Sequence, residues 1–245
     1  MKIFAIGDTH LSFDPRIDKP MDIFGKGWEN HVEKLNTAWR DMVTDEDYVL
    51  VAGDISWGLR LDEAMADLDF IHGLPGTKLI FKGNHDLWWQ SISKLNAIYA
   101  HEEDGILVED PGIHFMQNEC YTIPGTKIGI CGTRGWICPG TDGFSLHDRA
   151  IYERELIRLR FSLDDAVRKG MEEIIAVVHY PPTNDKKQPS GFTDMLSEYN
   201  VKQCVYGHLH NPEVHKHGFQ GILNGVKYNL GSLDYLNCML KEIEI

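Results

Sequence analysis

Four short apolar runs set what this chain can fold into: Lys2–Ile6, Tyr48–Ala52, Lys78–Lys82 and Ile174–Val178. A run that stays apolar on successive residues has both faces buried, which is how strands read inside a sheet covered on both sides. Each run ends where a polar motif begins, so the chemistry is expected at strand C-termini. Between the runs, Trp28, Val32, Leu35, Trp39 and Met42 step by three and four, as do Leu61, Met65, Leu68 and Ile71. That spacing predicts amphipathic helices lying on a sheet. A third helix is expected from Asp148 to about Lys169, because Tyr152, Leu156, Leu159, Leu163 and Ala166 repeat the spacing and Gly170 supplies a stop. The C-terminal third, 204–245, carries Gly-interrupted β runs such as Gly225–Leu230 and Cys238–Glu244, which predict a second sheet.

The expected architecture is therefore α/β, with two packed mixed β-sheets flanked by helices in a four-layer α-β-β-α sandwich. Residues 1–245 are expected to form a single domain with a helical insertion near 140–170. There is no internal repeat or linker, and the most loop-like stretch, Pro181–Gly191, follows a candidate ligand and is expected to act as a flap.

Composition narrows the function classes. With 42% hydrophobic and 25% charged residues the chain is of ordinary soluble globular type. An excess of 37 acidic over 24 basic residues, a net charge of −13, disfavours nucleic acid or an anionic membrane as partner. No apolar window approaches a membrane span, and the run Ile3–Ile6 is too short for a signal peptide. The five cysteines, Cys120, Cys131, Cys138, Cys204 and Cys238, contain no CxxC pair. They are expected to be reduced and mostly buried in a cytoplasmic protein.

The side chains able to bind a cation fall in five blocks: Asp8-Thr9-His10, Gly53-Asp54, Gly83-Asn84-His85-Asp86, His179, and Gly207-His208-Leu209-His210. Strand alternation would point Asp8 and His10 the same way, and likewise His208 and His210. Carboxylate, imidazole and amide ligands without thiolate suit manganese, iron or zinc better than calcium, and so many histidines argue against magnesium alone. Taken singly, His179 reads as an ordinary strand-end histidine and Asp54 as a helix cap. Together, the seven ligand-type residues Asp8, His10, Asp54, Asn84, His179, His208 and His210 at strand ends read as a metal centre. The seven histidines outside these blocks, among them His31, His114 and His215, read as surface or packing residues.

The order DxH, GD, GNHD, H, GHxH from Asp8 to His210 resembles the signature of the calcineurin-like metallophosphoesterases, and Asn229-Leu230-Gly231-Ser232 is similar to a segment that family carries after its last metal motif. The resemblance implies two metal ions. Asp8, His10, Asp54 and His210 would hold one, Asp54, Asn84, His179 and His208 the other, with Asp54 as the bridge. It implies hydrolysis of a phosphate mono- or diester by a metal-bridging hydroxide. His85 resembles the family's histidine that protonates the leaving oxygen or stabilises charge, and Asp86 is expected to orient it.

Protein phosphatases of this family carry an Arg and a second acid soon after GD. Here the chain reads Gly53-Asp54-Ile55-Ser56-Trp57-Gly58, and it looks more like the small prokaryotic phosphohydrolases. The expected substrate is a small, nucleotide-like phosphate ester. Trp57, Trp88, Trp89, Trp136 and Tyr180 crowd the motif loops and either stack on a base or aryl group or pack helices onto sheets. Arg134 is the candidate for a phosphate oxygen, with Lys82, Lys186 and Lys187 behind it. The alternative of another class is a noncatalytic interaction scaffold that keeps the fold. Metal content and ester hydrolysis separate the two. The sequence carries no signal of oligomeric state.

Overall fold

The computed structural model describes residues 1–103 and 106–244. In chain order the strands of its first half are β1 (Ile3–Ile6), β2 (Tyr48–Val51), β3 (Thr77–Ile80), β4 (His101–Glu103), β5 (Ile106–Val108) and β6 (Ile113–Phe115). They are followed by β7 (Tyr121–Thr122), β8 (Ile128–Thr133), β9 (Glu173–Val178), β10 (Gln203–Tyr206), β11 (Gly221–Leu223), β12 (Val226–Leu230) and β13 (Lys241–Ile243). The helices are α1 (His31–Met42), α2 (Leu61–His72), α3 (Ile92–Asn96), α4 (Leu146–Arg168), α5 (Gly191–Glu198) and α6 (Pro212–His215), with a short 3-10 turn at Met21–Phe24.

Two mixed sheets form the centre, one in the order β13-β1-β2-β3-β6 and the other β11-β12-β10-β9-β8-β7, with β4 and β5 as a separate hairpin. The four apolar runs are β1, β2, β3 and β9, and β1 to β3 pair in parallel. Their continuous apolarity has a direct cause in the layering. Ile3, Ala5, Leu50, Leu79, Ile175 and Val177 fill the space between the sheets. The alternate residues Phe4, Ile6, Val49, Val51 and Ile80 meet Leu35, Trp39, Leu68 and Ile71 of α1 and α2. On the far side, Ala176, Val178 and Cys204 meet Leu159, Leu163 and Ala166 of α4 and Phe192 of α5. Three apolar layers thus separate four layers of secondary structure, the expected α-β-β-α order.

Two expectations need correction. The helix at 140–170 is the crossover between β8 and β9, which pair in parallel, rather than an insertion; a parallel pair requires such a connection. The C-terminal run Cys238–Glu244 does not join the second sheet. Its strand β13 returns antiparallel to β1 at the edge of the first, Ile3 facing Ile243. Within the Pro181–Gly191 loop, side chains close the turn and one reaches Pro139. The Asn184 side chain donates to Pro139 O at 3.2 Å and accepts from the Gln188 amide at 2.9 Å, and Ser190 Oγ donates to Pro182 O at 2.6 Å. All five cysteines are buried and free. Among the described residues no helix is long and apolar enough to cross a membrane.

One lysine carries part of this packing. Lys78 is 2% exposed, and its ammonium donates to the carbonyls of His72, Leu74 and Gly76 at 3.0, 2.8 and 2.7 Å. It closes the C-terminal end of α2, where carbonyls lack partners and a cation is favoured. Lys78→Met keeps the stem but leaves those carbonyls bare, and is expected to cost about 1–3 kcal/mol. Urea unfolding checks this; an unchanged midpoint would show that water replaces the ammonium without loss.

Candidate metal centre

The site residues converge through turns that follow the strands. β1 ends at Ile6, and Asp8 and His10 lie beyond it with φ of 59° and 45°; Asp54 after β2 and His208 after β10 have φ of 51° and 73°. Non-glycine residues rarely adopt this left-handed region, and they cluster where the surroundings over-determine them. Strand alternation therefore does not aim Asp8 and His10, as the sequence suggested. Backbone bonds between motif loops do, with Asp8 N donating to Gly53 O at 2.8 Å and His10 N to Asp54 O at 3.0 Å. The glycines of two motifs follow from this crowding. A Cβ at Gly83 would lie 2.1 Å from Asp54 Oδ1, and one at Gly207 would lie 2.5 Å from Asp8 Oδ2.

Two clusters result. Asp8, His10, Asp54 and His210 bring one ligand atom each to within 4.8 Å of one another, and so do Asp54, His179 and His208. Asp54 belongs to both. Asn84 lies in the second group, its Oδ1 2.7 Å from His179 Nε2 and 2.8 Å from His208 Nδ1. His179 Nδ1 lies 2.9 Å from Ala52 O and donates there, which turns Nε2 toward Asn84 and Asp54. His10 Nε2 and His210 Nε2 are 3.2 Å apart. Asp54 Oδ2 is buried and has no hydrogen-bond partner among the described residues, with His179 Nε2 at 3.4 Å and His10 Nε2 at 3.8 Å.

Buried acceptors crowded in this way are costly unless a proton or a cation lies among them. The donor set is carboxylate, imidazole and amide oxygen, and it fits divalent transition metals. Charge distribution points the same way. Burial opposes ionisation of Asp54, but His179 and His10 outweigh it and hold its carboxyl well below the usual range. Burial pushes the Asp8 carboxyl up, against His210 and His179. Burial would lower His179, yet Asp54 and Asp8 raise it to about 9; burial and the neighbouring His179 push His208 down to about 3. His10 is lowered by burial as well, so its ring is neutral and presents a lone pair.

Asp86 plays a different part from the one expected. Its carboxylate accepts from the amides of Gly83 at 2.7 Å, Asp54 at 2.9 Å and Ile55 at 2.9 Å, and from Trp88 Nε1 at 3.1 Å. The His85 ring is not among these partners. Asp86 thus fastens the GNHD loop to the GD loop and does not orient the imidazole. Sequence reasoning missed the carboxylate that does orient a site histidine. Asp234 Oδ1 lies 3.4 Å from His210 Nδ1 while its Oδ2 accepts from Asn211 N at 2.7 Å. The only sequence signal for it was its place two residues past the Asn229–Ser232 segment.

The aromatic residues mostly bracket imidazoles. Trp57 stacks on His10 with centroids 4.7 Å apart and contacts His85 at 4.5 Å, Trp28 meets His10 and His210 edge-on, and Tyr180 lies 4.1 Å from His208. Trp88 and Trp89 pack against Phe115. A cavity of about 280 Å³ opens onto His10, His85 and His210 and is walled by Met21, Trp28 and Trp57. Arg134 lies outside it. Its guanidinium sits 4.6 Å over the Trp136 ring and 3.6 Å from Glu155, while its carbonyl accepts from the His179 and Tyr180 amides at 3.0 Å. Lys186 is engaged with Asp142 and Gly140 O, each at 3.1 Å.

A family model described as calcineurin-like phosphoesterase matches residues 1–212. No curated protein matches the chain. Among solved structures, TT1561 of Thermus thermophilus is similar with a TM-score of 0.57 at 12% identity, covering 99% of this chain and 97% of that one. A protein of unknown function from Aquifex aeolicus has a TM-score of 0.49 at 13% identity, covering 98% and 95%. The Thermus likeness is one of fold.

The clamp formed by Asp86 generates a prediction. Asp86→Ala releases five N–H donors, Ser56 N at 3.4 Å included, and is expected to lower stability by about 2–4 kcal/mol, since bonds to a buried charge are worth roughly 1.5–3 kcal/mol each and water recovers part. Metal affinity should fall with it. A variant that loses turnover while keeping its urea midpoint and metal content would instead mean that Asp86 acts through His85.

Proposed function

Because the chain belongs to the calcineurin-like phosphoesterase family, whose members are generally metal-dependent hydrolases, we propose that it hydrolyses a small, nucleotide-like phosphate mono- or diester at a binuclear metal centre. The observation that carries this reading is the pair of clusters sharing Asp54. Asp8, His10, Asp54 and His210 would hold one cation, and Asp54, Asn84, His179 and His208 the other; manganese, iron and zinc suit these ligands. When bound, the two cations supply an acidified water and neutralise charge at phosphorus.

The chain's own residues do the remaining work. Ala52 O holds the His179 ring in the tautomer that faces inward, and Asp234 steadies His210. His85 is fixed by its amide, which donates to Asp54 Oδ1 at 2.7 Å, and its ring has no hydrogen-bond partner among the described residues. That ring lines the cavity walled by Met21, Phe24, Trp28 and Trp57, so a leaving group lodged there meets an imidazole able to donate a proton. The apolar wall excludes water and suits a planar or apolar leaving group. Arg134, at the strand end beside His179, presents a guanidinium to substrate oxygens.

Asp54→Ala takes a ligand from both cations at once. It is expected to abolish activity and to bring elemental analysis from about two metals per chain to nearly none; two metals retained would remove Asp54 as the bridge. His85→Ala should keep its metals and lose more on alkyl than on nitrophenyl esters, because alkoxides need the proton and nitrophenolates do not. General acid catalysis contributes about 100- to 10,000-fold, so kcat/KM on the two esters should diverge measurably. Equal losses would assign His85 to charge stabilisation of the phosphoryl oxygens.

A further inference from the structure

A second cavity, of about 340 Å³, lies on the other side of the GNHD loop and shares only Arg134 with the mechanism above. Its charged lining is Lys82, Arg134, Arg158 and Glu155, three cations against one anion in a chain whose net charge is −13. Glu155 is fully buried and already spent: Oε2 accepts from Thr133 Oγ1 at 2.6 Å, and Oε1 lies 2.9 Å from Arg158, 3.5 Å from Arg154 and 3.6 Å from Arg134. Arg134 Nε is buried without a partner, and Lys82 has no ion-pair partner among the described residues. The rest of the lining is uncharged, polar at Gln90, Ser91, Gln117 and Asn118 and apolar at Phe81, Trp89 and Met116. A helix-anchoring ion-pair network explains Glu155 and its arginines. It does not explain a bare Lys82, an unpartnered guanidinium nitrogen or the open volume between them.

The cavity adjoins the proposed metal centre through two strand ends. Lys82 is two residues before Asn84, and Thr133 faces Val178 in the β8–β9 pair, which sets Arg134 beside His179 at about one strand spacing, roughly 4.8 Å. We propose that Lys82, Arg134 and Arg158 form a subsite for a second phosphoryl group of the substrate. The preferred ester then carries two phosphoryl groups, one at the metals and one held here by charge-assisted hydrogen bonds. This specifies the substrate of the phosphoesterase reading and rests on it.

The test has two arms, so that the two ideas fail separately. In the first, metal-stripped protein is titrated calorimetrically with inorganic pyrophosphate, which requires no catalysis. Wild type should bind, and Lys82→Met and Arg158→Gln should bind about 10- to 100-fold more weakly. Lys82→Met leaves no buried partner unpaired, so it covers the event that Arg158→Gln unfolds through Glu155. In the second, manganese-loaded protein hydrolyses a nitrophenyl nucleotide diester with and without a second phosphate on its sugar. The second phosphate should raise kcat/KM, and Lys82→Met should erase most of that advantage. No binding in the first arm, or variants that bind like wild type, overturns the subsite. Pyrophosphate binding with no gain from the second phosphate makes the cavity a site for free anions and overturns the substrate assignment. Hydrolysis of neither ester, with pyrophosphate binding intact, counts against the diesterase reading while the anion site stands.

Discussion

Asp54 is buried, with one carboxylate oxygen lacking a hydrogen-bond partner among the described residues and imidazoles at 3.4 and 3.8 Å. Such an arrangement opposes folding, since taking a carboxylate out of water is costly and the His179 and His10 imidazoles beside it must offset that cost. The layers beneath the site make that cost bearable. Strands buried on both faces and three apolar layers supply rigidity, and the turns at their C-terminal ends are pinned to one another by backbone bonds and by the Asp86 carboxylate. The left-handed conformations of Asp8, His10, Asp54 and His208 belong to the same trade, backbone strain accepted so that donors from distant segments meet.

The two cavities on either side of the GNHD loop differ in character. One is walled by Met21, Trp28 and Trp57 and reaches His10, His85 and His210; the other gathers Lys82, Arg134 and Arg158. An apolar pocket and a cationic pocket thus flank the candidate metal centre, and the proposed substrate follows from that contrast. Trp57, held between His10 and His85, ties the first pocket to the site, and Arg134, whose carbonyl takes the His179 amide, ties the second.

Much of the layering was legible in the sequence because continuous apolarity at β1, β2, β3 and β9 has one simple cause, burial of both faces. The destination of β13 was not, since a three-residue strand pairs as readily with either sheet edge, and only the fold decides that Ile243 meets Ile3. The α4 segment was visible as a helix, but its role as a crossover depends on β8 and β9 being parallel, which local periodicity does not encode. The cation-binding residues were legible as types in order. The part of Asp86 was not, because a carboxylate next to a histidine in sequence suggests contact with it, whereas the left-handed turn at Asp54 aims the Asp54 and Ile55 amides at that carboxylate and Gly83 of its own loop adds another. Asp234 was hidden for the opposite reason, being 24 residues from the His210 it steadies.

The central claim is that this bowl holds two cations side by side across Asp54. Anomalous diffraction from crystals grown with manganese tests it directly. The account predicts two peaks about 3.5–4 Å apart, one among Asp8, His10 and His210 and one among Asn84, His179 and His208, with Asp54 between them. A single peak, or peaks that leave Asp54 without a metal neighbour, would contradict it.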